Sequence, residues 1–158
     1  MDNDVNDFLF GGGVKAAKFE NLGDYVEGTV VDAKISQQTA MEDNAPLFWP
    51  DGKPRMQLVV TLQTDAHDDE EDNGERRVFA KGGRYEVASG KGQSMKDAIA
   101  DAVRRSGAKS LESGGKLKLG YTGEGKKTNR GYSAPKLFTA AYSVPVAAVA
   151  VADLFDDD

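Results

Sequence analysis

The sequence predicts an all-β domain with a single helix, its five strands closing into a small Greek-key barrel. Three observations predict it. Five short segments are rich in β-branched and aromatic residues and are divided by turn signals or glycine-rich stretches. One segment of helical period lies between the third and fourth of these strands. The first strand carries an interior glycine, Gly28, of the kind that marks a bend or bulge. Three strands, a helix and two strands is the order of the OB-fold, whose sheet face and loops after strands one and four bind oligonucleotides or oligosaccharides. An α+β sheet with different pairing would have the same order.

Residues 1–18 form a flexible acidic arm with a Gly11–Gly13 linker signal. The domain proper is expected over residues 19–145. Its first strand is "DYVEGTVVDAKISQQ". A long loop follows, with a Pro50-Asp51-Gly52 turn signal. Strand two, "RMQLVVTLQT", alternates, with Met56, Leu58, Val60 and Leu62 on one face and Arg55, Gln57, Val59, Thr61 and Gln63 on the other. The acidic loop "DAHDDEEDNGE" leads to strand three, "RRVFAK". The helix is capped by Ser94 with Asp97 three positions on, buries Met95, Ala98, Ile99, Ala102 and Val103, and stops at Gly107. "GGKLKLGYTG" and "PKLFTAAYS" are strands four and five, joined by the basic loop "EGKKTNRGYSA". Residues 146–158 form a second flexible acidic segment.

Composition narrows the chemistry. At 158 residues, with 39% hydrophobic and 29% charged residues, the chain is one lean globular domain. It has no cysteine and one histidine, His67, so neither thiolate nor histidine-rich metal sites are expected, and no cofactor is expected. No nucleophile–base pair is present, so the chain does not read as an enzyme. The acidic start and the lack of a long apolar run point to a cytoplasmic protein.

The net charge of −6 conceals a segregation. Residues 1–14, 65–75 and 153–158 hold fourteen of the 26 acids and none of the 20 bases. What remains is basic, and a polyanion meets that local field rather than the net charge.

The candidate surface combines these cations with aromatic rings, since cations neutralise phosphates while rings stack on bases. On strand three Arg77, Phe79 and Lys81 alternate onto one face. On strand four Lys116 and Lys118 share a face opposite Leu117, Leu119 and Tyr121. The loop after strand four supplies Lys126, Lys127, Arg130 and Tyr132, and the loop after strand one supplies Phe48, Trp49, Lys53 and Arg55. Phe79 in the core, with the strand phase reversed, and Trp49 as a structural pin for its loop are the competing assignments. The run Asp68–Asp72 is read as a solvated loop rather than a carboxylate metal site. The stretch "GKGQS" before the helix lacks the spacing of a phosphate-binding loop.

The stretches "DFLFGGG", "FWPDGKPRMQLVVTLQT", "MKDAIADAVRRSGAK", "GGKLKLGYTG" and "PKLFTAAY" span most of the chain. In them the sequence resembles the single-stranded DNA-binding proteins of tailed bacteriophages, especially those infecting actinobacteria. The resemblance implies an OB-fold that coats single-stranded DNA in replication and recombination. It also implies an acidic C-terminal tail (here Asp153, Leu154, Phe155, Asp156, Asp157 and Asp158) that recruits replication or recombination proteins; the basic body and acidic end separately suggest that this tail competes with DNA. In the family such tails usually end on a hydrophobic tip. Here three aspartates follow Phe155, which puts recruitment through a terminal phenylalanine carboxylate in doubt. The edge strands and the arm are compatible with a homodimer. The alternative function is a protein–protein or recombination-accessory module on the same barrel, without DNA binding.

Overall fold

The computed structural model describes residues 14–40, 42–127 and 133–145. Among them are seven strands and one helix: β1 (Lys15–Ala16), β2 (Tyr25–Gln37), β3 (Met56–Gln63), β4 (Glu75–Ala80), β5 (Val87–Gly90), α1 (Met95–Arg105), β6 (Lys116–Gly125) and β7 (Lys136–Ser143). The protein is mostly β with one helix. The five strands expected from sequence are β2, β3, β4, β6 and β7, and α1 falls between β4 and β6 as expected. The two additional strands are short. β1 lies in the stretch assigned to the arm, and β5 in the glycine-rich connection before the helix.

All seven strands belong to one sheet. β2, β3 and β4 pair antiparallel in sequence order. β6 pairs antiparallel with β7 along one edge, while its other edge is shared by β2 and then β5. The closed barrel expected from sequence is an open sheet among the described residues. The outer edge of β4 is taken by β1, which pairs with it in parallel through Lys15 to Arg76 and Ala16 to Arg77.

The two halves of the sheet meet in β2. Its residues Tyr25–Thr29 pair with β6, and from Thr29 to Gln37 it pairs with β3. The strand changes partners at Gly28–Thr29. A Cβ on Gly28 would lie 2.4 Å from the backbone oxygen of Gln63, so no side chain fits without backbone movement. A bulge follows at Val31, where the register shifts between Val30 and Asp32. The Ser113 hydroxyl donates to the Val31 carbonyl at 2.9 Å.

The core fills the concave side of this bend. Val26 and Val30 of β2, Val60 and Leu62 of β3, Val78 and Ala80 of β4, and Leu117 and Leu119 of β6 are all buried. Each such leucine or valine contributes about 1.5–3 kcal/mol by leaving water. Phe138 of β7 sits at the centre of an aromatic group, 5.1 Å edge-on from Phe19 and 5.9 Å from Tyr121. β3 departs from simple alternation, because Val59 and Thr61 are buried as well. Both lie in a central strand with Lys34 or Asp32 in register on one side and Phe79 or Arg77 on the other, and these larger neighbours cover them.

Helix α1 closes the core against β7. Ser94 caps it, its hydroxyl accepting from the Asp97 amide at 3.2 Å, and Ala98, Ile99, Ala102 and Val103 form the buried face. Gly107, at φ +84°, takes the left-handed conformation just past its end. Arg105 ties the helix to the sheet by donating to the Ala140 carbonyl at 2.7 Å.

Substituting Gly28→Ala tests the strand handover. The added methyl meets backbone, which cannot rotate away as a side chain would, so the variant is expected to lose about 1–3 kcal/mol of stability. Urea unfolding followed by circular dichroism measures it, and an unchanged midpoint would mean that the close approach does not constrain β2.

Candidate nucleic-acid interface

The solvent face of the β2–β3–β4 half is set by register. Phe79 pairs with Val59, which pairs with Lys34; Arg77 pairs with Thr61, which pairs with Asp32. Arg77 and Phe79 therefore project away from the core, while Val78 and Ala80 project into it. Phe79 is 43% exposed, which excludes the core assignment for its ring. Lys81, next in the alternation, is exposed beyond the strand end. Lys34 joins this face and was not singled out from the sequence. The signal was there, since Lys34 lies between Ala33 and Ile35 in an alternating stretch, but the bulge at Val31 obscures the phase of β2.

The loop between β2 and β3 is an ordered extension. Leu47 donates to the Gln38 carbonyl at 2.9 Å, Arg55 to the Leu47 carbonyl at 3.0 Å, and Trp49 to the Lys53 carbonyl at 2.7 Å. The predicted Pro50-Asp51-Gly52 turn forms the tip. There Gly52 has φ +88°, and the Asp51 carboxylate accepts from the Lys53 amide at 3.0 Å. Phe48 and Trp49 stand about half exposed on this tip, with Lys53 exposed beside them. The Arg55 guanidinium lies 4.5 Å over the Trp49 ring. That stack braces the indole from one side, so the ring is both a brace for the loop and an accessible surface.

Lys116 and Lys118 are exposed on β6, as their alternation with buried Leu117 and Leu119 predicts. Lys118 lies 4.7 Å over the ring of Tyr25, which is 61% exposed. These two, with Lys91, line a shallow cleft of about 350 Å³. Tyr25 is a second cation–aromatic pairing that the sequence reading missed. Its alternation with buried Val26 was the available signal. Tyr85 is a further exposed ring, in the crossing from β4 to β5. The same crossing reaches the β6–β7 loop, where the Lys126 amide donates to the Glu86 carbonyl at 2.8 Å and its ammonium pairs with the Glu86 carboxylate at 3.1 Å. Lys127 is exposed beside it. Arg130 and Tyr132 of this loop, and Asp153 to Asp158, lie outside the described residues.

The "GKGQS" stretch has a structural role. Gly92, at φ +126°, rests on β7, where a Cβ would lie 2.7 Å from the Phe138 oxygen. Gln93 and Phe138 exchange backbone hydrogen bonds of 3.0 and 2.7 Å. These glycines allow the backbone to lie flat on the sheet before α1.

The acidic loop is not simply solvated. Arg76 grips Asp72 with two hydrogen bonds of 2.9 and 2.7 Å, and Asp68 with one of 3.2 Å. Lys15 of β1 reaches Asp69 at 3.0 Å. The Asp72 side chain is only 3% exposed. Loop acids thus neutralise Arg76 and Lys15 and hold β1 against β4. Cations occupy the middle of the cluster, and among the described residues no group of three or more acids or His is placed to hold a metal ion. No described helix is long and apolar enough to cross a membrane. No protein family, curated protein or solved structure matches this chain.

Hydrogen bonds from Arg76 and from the Asp68 and Gly74 amides hold the Asp72 carboxyl well below its ordinary value of 3.8. Its stabilising contribution is present above that value and is lost as pH falls below it, because the unfolded chain takes up the proton first. Urea midpoints measured from roughly pH 6 down to pH 3 should fall more steeply for the wild type than for Asp72→Asn, with the variant less stable at neutral pH and the gap narrowing in acid. Parallel pH profiles would show that the pair does not contribute to folding.

Proposed function

We propose that this protein binds single-stranded DNA without sequence preference, on an OB-like order of five strands and a helix built here as an open sheet with two short additional strands. The observation that carries the reading is Phe79. A large aromatic ring stands exposed near the end of β4, between Arg77 and Lys81, on a sheet face where burial would have been available on the other side. An aromatic platform flanked by cations suits a flexible polyanion whose bases are unstacked and free to lie on the ring. Duplex DNA offers no base faces to such a ring.

The rest of the surface supports the same reading. Five strands in the order β2, β3, β4, β6, β7, with α1 between the third and fourth, match the OB arrangement of elements, and the loops after the first and fourth carry rings or cations. Trp49 with Arg55, and Tyr25 with Lys118, repeat the ring-and-cation unit. Phosphates contact the cations and bases stack on the rings, so affinity falls steeply with salt while base identity matters little. Roles in phage DNA replication and recombination, and recruitment of replication proteins by Asp153–Asp158, belong to the same proposal and rest on the resemblance.

Titration of a fluorescent oligo-dT of roughly 30 nucleotides, beside the matching duplex, tests the reading. Tight, salt-sensitive binding to the single strand alone is expected, with quenching of Trp49. Phe79→Ala should weaken binding by about 1–3 kcal/mol, or roughly 5- to 150-fold, with little change in the salt dependence. Arg77→Ala should instead reduce the slope of log affinity against log salt by roughly 0.7. No binding at low salt would overturn the proposal and leave a protein–protein module as the better account.

A further inference from the structure

On the core side of β2, beyond the reach of β6, the sheet and helix α1 diverge. They leave an open apolar groove of about 490 Å³. Ile35 and Leu58 line it from the sheet, Ile99 from the helix, and Leu111 from the segment after the helix. Ile35 is 63% exposed although it faces the core side of the sheet, in register with Leu58. Lys96, Arg104 and Lys109 are the cations around the groove, with no acid among its lining; Lys34 also borders it, but its register with Val59 turns its side chain to the Phe79 face. Beside it, residues 32–37 of β2 pair only with β3, so one edge of the strand is open among the described residues.

An apolar slot flanked by three cations and no acid calls for a segment with large apolar side chains set among carboxylates. The chain itself carries one. Residues 146–158, "VAAVAVADLFDDD", place Leu154 and Phe155 between Asp153 and Asp156–Asp158. They also begin at the right place. Pro145 packs against Gly114, where a Cβ would lie 3.4 Å from the Pro145 Cβ, and Gly114 is three residues from Leu111 in the groove wall. Leu154 is nine steps along the chain from Pro145, enough to span about 30 Å when extended, which is ample for so short a return. Tethering raises the local concentration of the segment into the millimolar range, so modest contacts suffice to fill the groove.

We propose that the groove between α1 and the β2–β3 edge is the docking site of this chain's own C-terminal segment. Leu154 and Phe155 occupy the apolar floor beside Ile35, and the aspartates face Lys96, Arg104 and Lys109. This site is distinct from the Phe79 face, and the proposal does not rest on DNA binding. In it the tail is parked away from the nucleic-acid surface, its aromatic residue covered until a partner with a better pocket draws it out.

Because the chain has no cysteine, Asp157→Cys gives a single attachment point for a nitroxide on the full-length protein. Paramagnetic broadening of backbone amide signals then maps where the segment sits. The expected result is loss of signal at residues 33–35, 99–104 and 109–111. Recovery is expected in the labelled chain that also carries Phe155→Ser or Ile35→Glu. Ile35 is exposed, and Arg104→Glu, also at an exposed position, provides a second variant should the first unfold. Broadening centred on Arg77, Phe79 and Trp49 would overturn the proposal by placing the tail on the nucleic-acid face. Uniform or absent broadening would overturn it as well. Broadening seen only when spin-labelled chains are mixed with isotope-labelled, unmodified ones would assign the groove to a second copy's tail instead.

Discussion

Strand β2 is asked to hydrogen-bond to two partners that lie in different directions, and it manages this at Gly28. On one side of that residue the strand continues the β6–β7 sheet; on the other it continues β3–β4. The handover works only because the backbone oxygen of Gln63 can approach where a Cβ would otherwise stand. The concavity that results is filled by Val26, Val30, Leu62 and Leu117, and α1 seals it. The same bend leaves the far end of β2 without a β6 neighbour, and the groove beside Ile35 opens there. One glycine therefore sets the core, the two solvent faces and the unfilled end together.

Charge is arranged by a second constraint. A chain with more acids than bases would carry a negative field over its whole surface if its carboxylates were spread evenly. They are instead concentrated in the β3–β4 loop and near the ends of the sequence. In the loop, Asp68, Asp69 and Asp72 turn toward Arg76 and Lys15 and act as a clasp between β1 and β4. The cations that remain unclasped include Arg77, Lys81, Lys116 and Lys127, beside or near exposed rings. Clasped acids on one edge and free cations on the faces are what let a protein of net negative charge present a positive field locally. The aromatic rings use the cations too. Arg55 over Trp49 and Lys118 over Tyr25 hold each ring from one side and leave the other for a ligand.

Much of this was legible beforehand. Period-two alternation located β3, β4, β6 and β7, and the Ser94–Asp97 pair with Gly107 bounded α1, because these signals depend on neighbours within a few residues. Alternation also put Arg77, Phe79 and Lys81 on one face of β4, but only the structure decided that this face points away from the core. Gly28 was recognisable as a bend, although not as the point where the strand changes partners.

What only the tertiary structure decided depends on contacts between residues far apart in the chain. β1 takes the edge of β4, and the sheet is open where the order of elements suggested a closed barrel. Lys15 meets Asp69, 54 residues on, and together with the local Asp72–Arg76 pair this turns what looked like a solvated run into a clasp between β1 and β4. Tyr25 becomes a platform because Lys118, 93 residues later in sequence, is its neighbour across two strands. Ile35 is exposed because α1 diverges from β2, a relation no local pattern encodes. The sequence determined which residues alternate, cap and turn, since those are properties of adjacent backbone. Which of them face each other, and which surfaces are left uncovered, was settled by packing, because burial belongs to a pair of elements and not to either one alone.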